Sequence, residues 1–314
     1  MQTILGAGGA IGTVLVRELL QAGHRVRLVG RNPVPVPGAT EAVSADLSDL
    51  DQTCRAVAGS TVVYLLAGLK YDVKVWRELW PPIMSNVIEA CKRAGAALIF
   101  FDNVYMYGRV SGRMTEETPF NPCSKKGEIR ARIASTLLNE IKAGNLRAMI
   151  ARSADFYGPN ARTGIANILV FDKFMKRETA VCLVNDSVAH SYTFTPDAAK
   201  SLALLAETES AWNQTWHVPT ASHPPTGNEF ITIAAEEFGV APKYRVLSRP
   251  LIRVAGLFNR DIRESWEMLY QNDSEYLFDS TKFCTAFGLE PTSYAEGIRL
   301  TAASCKRPNG GVTL

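Results

Sequence analysis

The chain has 314 residues, 46% of them hydrophobic and 21% charged, which is enough for a sizeable core in one large α/β unit or in a nucleotide domain with a smaller companion. The formal net charge of +3 is scattered, which excludes the basic footprint of a nucleic-acid binder. No apolar run reaches the roughly 18 residues of a membrane span, so no membrane partner is expected, and the strand-like start Met1–Leu5 leaves no room for a signal peptide, which points to the cytoplasm.

Short apolar runs alternate with amphipathic stretches through the first half. Thr3–Leu5 reads as a strand and Ile11–Leu20 as a helix. Val26–Val29, Ala42–Ala45 and the β-branched run Thr61–Leu66 read as the next strands. Tyr71–Arg93 is a long helical stretch, Ala97–Phe101 a fifth strand, Lys125–Lys142 another helix and Arg147–Ala151 a sixth strand. This alternation predicts an α/β fold: a doubly wound parallel Rossmann sheet with helices on both faces. After about residue 158 turn-rich segments interrupt the pattern, and helical pieces follow at Ala166–Lys176, Asp197–Leu205, Glu229–Phe238, Asp261–Tyr270 and Ser280–Phe287. The expected division is a dinucleotide-binding domain over 1–158, with a return segment near 180–218, and a smaller substrate-binding lobe over most of 159–314.

The run Gly6-Ala7-Gly8-Gly9-Ala10-Ile11-Gly12 lies between the first strand and the first helix, where a phosphate-binding turn belongs. Gly6, Gly9 and Gly12 let the backbone approach a pyrophosphate, and the helix start at Ala10 and Ile11 offers amide donors and a positive dipole end. A nicotinamide dinucleotide is the expected cofactor. The second strand ends in Gly30-Arg31-Asn32 rather than in an acidic residue. Arg31 can pair with a 2′-phosphate, which favours NADP(H) and leaves NAD(H) open. The six cysteines, Cys54, Cys91, Cys123, Cys182, Cys284 and Cys305, form no CxxC pair and have no histidine at ligand spacing, so reduced thiols and no metal site are expected.

The sequence resembles the extended short-chain dehydrogenases/reductases, of the NAD-dependent epimerase/dehydratase group, over nearly its whole length. The glycine run is their first motif. Asp46-Leu47 matches the acidic-apolar pair that brackets the adenine, and Leu66-Ala67-Gly68 matches a segment lining the cofactor. Val104–Gly108 resembles the family's VYG turn, and Arg152–Pro159, reading RSADFYGP, resembles its RxxNxYGP segment. Tyr192–Asp197 resembles the segment that returns to the sheet, and Asp279–Lys282 with Gly288–Pro291 resembles the C-terminal signature.

In that family a serine or threonine, a tyrosine and a lysine do the chemistry, the last two in a YxxxK motif. No YxxxK follows the fifth strand here. One register puts the tyrosine position on Lys126 and the lysine position on Arg130, at the i, i+4 spacing that lets both face the cleft. A second puts the lysine on Lys125 and the tyrosine on Asn121. The serine position falls on Asn103, which can hydrogen-bond a carbonyl but cannot transfer a proton at neutral pH. Tyr105 projects to the same side as Asn103 and is one candidate acid; Lys126 is another. Lys126 and Arg130 are equally suited to holding the cofactor's ribose or phosphates.

The resemblance implies a sugar-nucleotide substrate for many relatives, gripped by an arginine where this chain has His190. From Glu264 to Thr281 there is no basic residue, while Glu264, Glu267, Asp273, Glu275 and Asp279 are acidic, so a diphosphate is poorly served. Asp155 stands where the family often has asparagine. Trp76, Trp80, Phe156, Tyr157, Phe171, Phe174, Phe258, Trp266 and Tyr270 supply aromatic surface for an apolar pocket. The expected activity is therefore an NAD(P)H-dependent carbonyl reductase acting on a small organic substrate, aromatic ones included. The alternatives are a sugar-nucleotide epimerase or dehydratase and a non-catalytic NADP-binding redox sensor. The family also implies a homodimer through the helices at 71–93 and 125–142, for which Ile129, Ile133, Leu137 and Ile141 have the spacing, although that stripe can equally face the sheet.

Overall fold

The computed structural model describes residues 1–306. Its described residues divide into two compact units: residues 1–108, 120–153 and 198–218 form the first, and residues 109–119, 154–197 and 219–306 the second.

In the first unit seven strands make one parallel sheet: β1 (Gln2–Leu5), β2 (Val26–Gly30), β3 (Glu41–Ser44), β4 (Val62–Leu65), β5 (Ala97–Asp102), β6 (Ala148–Arg152) and β7 (Thr215–His217). Their order is β7-β6-β5-β4-β1-β2-β3. The direction of winding reverses between β1 and β4, the switch point where such sheets bind ligands. The strands β1 and β6 are buried at every residue, their polar members Gln2, Thr3 and Arg152 included.

The first unit's helices are α1 (Ala10–Gln21), α2 (Leu50–Val57), α3 (Val73–Ala94), α4 (Lys125–Lys142) and α5 (Thr195–Glu207), the last joining this unit from Ala198 on. Asp72 caps α3, accepting from the amides of Lys74 (2.9 Å) and Val75 (3.4 Å), and Gly95 ends it in the left-handed conformation at φ +63°. Ile129, Ile133 and Leu137 of α4 are buried in the unit's own core, with Ile141 packed against it. The stripe offered for a dimer therefore faces the sheet side, because burying it within the chain satisfies it first.

The second unit holds three short parallel strand pairs: Asp155–Tyr157 with Tyr192–Phe194, Ala180–Leu183 with Tyr244–Leu247, and Arg113–Met114 with Leu277–Phe278. Tyr192–Phe194 thus pairs locally, and the chain rejoins the large sheet only at β7. After the helical segment made by Asn167–Phe171 and Asp172–Met175, the second unit's helices are α6 (Gly227–Phe238), α7 (Arg249–Phe258), α8 (Arg260–Ser265), α9 (Thr281–Phe287) and α10 (Tyr294–Cys305). Tyr157, Phe171, Phe230, Ala234 and Ile298 centre its core. All six cysteines are free. Among the described residues no helix is long and apolar enough to cross a membrane, and no group of histidine, cysteine or acidic side chains is placed to hold a metal ion.

Candidate functional site

The glycine run forms the turn from β1 into α1. Gly6 has φ +93°, and a Cβ there would lie 2.5 Å from Ala67 Cα, so the loops after β1 and β4 close together only around glycine. A Cβ on Gly12 would lie 2.6 Å from the carbonyl oxygen of Ala7, so α1 starts tight against its own loop. Gly9 is the N-cap of α1 and brings no side-chain cap to the first turn. Space is open around the Cβ positions of Gly8 and Gly9. An uncapped first turn at Ala10 and Ile11, reached through side-chain-free backbone, suits a pyrophosphate.

A groove in this unit collects Gly6, Arg31, Asp46, Leu47, Ala67 and Gly68. Gly30, Asn32, Ser48, Leu69, Leu79 and Ile83 also line it. Leu66, the first residue of its segment, ties the loop down by donating its amide to the Leu5 carbonyl (2.9 Å). Asp46 accepts from both the amide (2.9 Å) and the hydroxyl (2.7 Å) of Ser48, and these bonds hold its carboxyl below the usual range. Arg31 is exposed, and no carboxylate among the described residues is bonded to its guanidinium. The groove thus brings the backbone of Gly6 together with the Asp46 carboxylate, Leu47 and the Arg31 cation.

The residues at the family's catalytic positions gather in the same unit, beyond the carboxyl ends of β4 and β5. Ser124 caps α4 by accepting from the Gly127 amide at 3.0 Å. A Cβ on Gly127 would lie 2.6 Å from the Tyr105 carbonyl oxygen, so α4 packs hard against the 3-10 turn Tyr105–Tyr107. That contact turns Lys126 inward, where it is fully buried. Its Nζ lies 4.6 Å from the centroid of the Tyr71 ring. Tyr71 Oη donates to Tyr105 Oη at 3.5 Å, and the Tyr105 ring stacks on Trp76 at 6.2 Å. Asn103 Oδ1 accepts from the Tyr105 amide at 3.1 Å, which fixes the turn.

Arg130 does not share the surroundings of Lys126. Its guanidinium pairs with Asp102, with Nε 2.7 Å from Oδ1, among the rings of Trp80, Phe100 and Trp76. Arg152 Nε is 4.0 Å from Asp102 Oδ2, and its Nη1 donates to Tyr107 Oη at 2.8 Å. Among the described residues Arg152 Nε and Nη2 and Asp102 Oδ2 have no hydrogen-bond partner. The sequence register thus brings Asn103, Tyr105 and Lys126 together and sends Arg130 to a buried ion pair. Tyr71 is the member of the cluster that sequence reasoning missed. It precedes the cap of α3, and only the packing of α3 against α4 brings it over Lys126.

The second unit has its own pocket, lined by apolar side chains with Cys182, Asn185, His190, Tyr192 and Asn272. His190 is 4% exposed; its Nε2 lies 3.1 Å from Asp155 Oδ2, and its ring stacks on Tyr276 with centroids 4.4 Å apart. Burial pushes the Tyr192 phenol well above its usual range. Among the described residues no lysine or arginine lines this pocket. None of the nine aromatic residues offered as surface for an apolar pocket lines this one. Trp76 and Trp80 lie in the first core, Tyr157, Phe171 and Phe174 in the second, and Phe258 is 88% exposed. Asp273 is held below the usual carboxylate range, despite burial, by its bonds to Arg249 and Arg109.

The family pattern described as NAD dependent epimerase/dehydratase family matches residues 3–218. An uncharacterized protein, y4nL, of Sinorhizobium fredii is 23% identical over 94% of this chain and 86% of its own length. Dihydroflavonol 4-reductase of Hordeum vulgare is 37% identical, but the match spans only 29% of this chain and 31% of that protein. Among solved structures, UDP-glucose 4-epimerase of Thermus thermophilus in complex with NAD superposes with a TM-score of 0.79 at 21% identity, covering 98% of this chain and 99% of that one.

Proposed function

This chain belongs to the NAD-dependent epimerase/dehydratase family, and from that premise we propose that it is a nicotinamide-dinucleotide-dependent oxidoreductase acting on a small organic carbonyl or alcohol. The observation that carries this reading is the groove at the switch point, with its side-chain-free cradle at Gly6 and Gly12, and the polar cluster of Asn103, Tyr105 and Lys126 in the same unit. Gly6, Gly9, Ala10, Ile11 and Gly12 would hold the pyrophosphate, Asp46, Leu47, Leu66, Ala67 and Gly68 would frame the nucleoside, and Arg31 favours NADP(H) over NAD(H). A bound nicotinamide supplies or takes the hydride. Asn103 and Tyr105 would orient the substrate oxygen, and the buried Lys126 would act on it from behind the tyrosine rings rather than by contact. Arg130 would act at a distance, by fixing Asp102 and hence the turn that carries Asn103: Asp102 Oδ1 accepts from the Asn103 amide at 2.9 Å.

A second reading, an epimerase or dehydratase acting on a sugar nucleotide, is the one the relatives favour, since the solved relative is a UDP-glucose 4-epimerase. Against it stands the second unit's pocket, where the lining residue His190 is held by the Asp155 carboxylate and no lysine or arginine among the described residues would grip a diphosphate. Incubation with NADPH or NADH and a panel of aromatic ketones, a dihydroflavonol, UDP-glucose and dTDP-glucose separates the readings. Stoichiometric cofactor oxidation with a ketone or dihydroflavonol supports the first. Conversion of a sugar nucleotide without net cofactor consumption replaces it with the second. Cofactor binding with no turnover of any member leaves a non-catalytic NADP-binding sensor.

A further inference from the structure

The resemblance leaves α4 without a phenol, because Lys126 and Arg130 occupy the tyrosine and lysine positions. The fold brings a phenol to the same place from another element. Tyr71, in the loop between β4 and α3, is partly exposed, whereas Lys126 is fully buried beneath it. Lys126 Nζ lies 4.6 Å from the Tyr71 ring centroid, and Tyr71 Oη donates to Tyr105 Oη at 3.5 Å. Trp76 meets the Tyr71 ring edge-on at 5.6 Å and stacks on the Tyr105 ring, so both phenols are fixed by one indole.

We infer that Tyr71 is the catalytic phenol of this protein, with the buried Lys126 as its charge partner and Tyr105 as its hydrogen-bonded link to solvent. The inference rests on the oxidoreductase reading above. An ammonium over the face of a phenol attracts the ring's π electrons and attracts the phenolate more strongly, so Lys126 favours release of the Tyr71 proton. The charged or titratable groups near Tyr71 include Lys70 and Asp72 on its own loop and Tyr105 on the 3-10 turn. The Asp72 carboxylate opposes Lys126, but it is bonded to the amides of Lys74 and Val75 at the start of α3. Arg130 is paired with Asp102. Lys126 itself is too enclosed to touch a substrate, and the Tyr105 ring lies against Trp76 rather than under the ammonium. Tyr71 combines partial exposure with the ammonium over its ring.

In the reductive direction a bound reduced nicotinamide would supply the hydride that the substrate carbonyl carbon needs, and this chain's residues would supply the proton. The carbonyl oxygen takes the Tyr71 proton and becomes a hydroxyl. Tyr71 is left as a phenolate beside Lys126 and recovers a proton from water through Tyr105. Oxidation of an alcohol runs the same transfers backwards.

Ultraviolet titration of phenolate absorbance tests the pairing without any substrate. The wild-type protein is expected to show one tyrosine that ionises at least about one pH unit below the ordinary value of about 10. This phenol is expected to vanish in Tyr71→Phe, to persist in Tyr105→Phe, and to ionise at least tenfold less readily in Lys126→Met. Its absence from the wild type, or its survival in Tyr71→Phe, overturns the proposal. On any substrate of the panel that is turned over, Tyr71→Phe is expected to lower kcat by about 100-fold or more with the cofactor KM unchanged. A kcat within threefold of wild type overturns the proposal. A panel with no turnover overturns the oxidoreductase reading instead, and the titration then decides the Tyr71–Lys126 pair alone.

Discussion

Burying the side chains of Asp102, Arg130 and Arg152 costs each its hydration, and only their mutual pairing and the surrounding rings offset that cost. Asp102 is the one carboxylate the two arginines share. Asp102→Asn is expected to leave two uncompensated buried cations and to lower stability by about 3–5 kcal/mol, read from the urea midpoint. Arg31 poses the opposite case, an exposed guanidinium with no bonded carboxylate among the described residues. Arg31→Ala is expected to weaken NADPH binding by tenfold or more, the loss of about 1.5–3 kcal/mol for a charged hydrogen bond, and to leave NADH binding unchanged. Equal losses for both cofactors in titration calorimetry would show that Arg31 does not read the 2′-phosphate.

Among the elements, the β1–α1 turn is the least tolerant of change. Gly6→Ala would combine a left-handed backbone with a Cβ 2.5 Å from Ala67 Cα, and neither backbone can yield without moving a central strand. Loss of dinucleotide binding is expected, with about 1–3 kcal/mol of destabilisation by thermal unfolding. Helix α6 offers a milder test. The Thr226 hydroxyl accepts from the Glu229 amide at 3.3 Å, while the Glu229 carboxylate accepts from the Thr226 amide at 2.8 Å. Thr226→Ala is expected to cost about 1 kcal/mol and to leave cofactor affinity unchanged. How much of an element the sequence reveals depends on how local its signals are. The expected span of α4, Lys125–Lys142, is the observed one, because Ser124 caps it and the apolar spacing runs to its end. Helix α2 is not legible in the sequence: it has eight residues and buries only Thr53, Ala56 and Val57. Helix α7 is hidden because its apolar residues Leu251, Val254 and Leu257 are exposed and give no core stripe. The glycine turn between β1 and α1 is legible because it is local in sequence. The Tyr71–Lys126–Tyr105 cluster is not, because residues 71, 105 and 126 meet only through the packing of three elements.

Across the whole molecule, proton binding sets the pH window of stability. Asp46, Asp49 and Asp273 titrate below the ordinary 3.8, and Glu140, Glu178, Glu229 and Glu296 below 4.5, chiefly through hydrogen bonds to their neighbours. The folded state binds these protons more weakly than the unfolded chain, so their contribution is present above pH 4.5 and is lost as the pH falls through the folded values. Burial pushes Cys91 up to about 12 and Cys182 to about 11, from 9.0. The folded state holds these protons more tightly than the unfolded chain, so that contribution is complete below pH 9.0 and is lost as the pH rises beyond it. Urea midpoints measured from about pH 3 to about pH 11 are expected to form a plateau between these limits. The functions proposed for the glycine turn and for the Tyr71–Lys126 pair both require a nicotinamide dinucleotide to bind the first unit. Calorimetric titration of the wild-type protein with NADPH and with NADH tests that claim most directly. Saturable binding, tighter for NADPH than for NADH, is the predicted result; the absence of binding by both would contradict it.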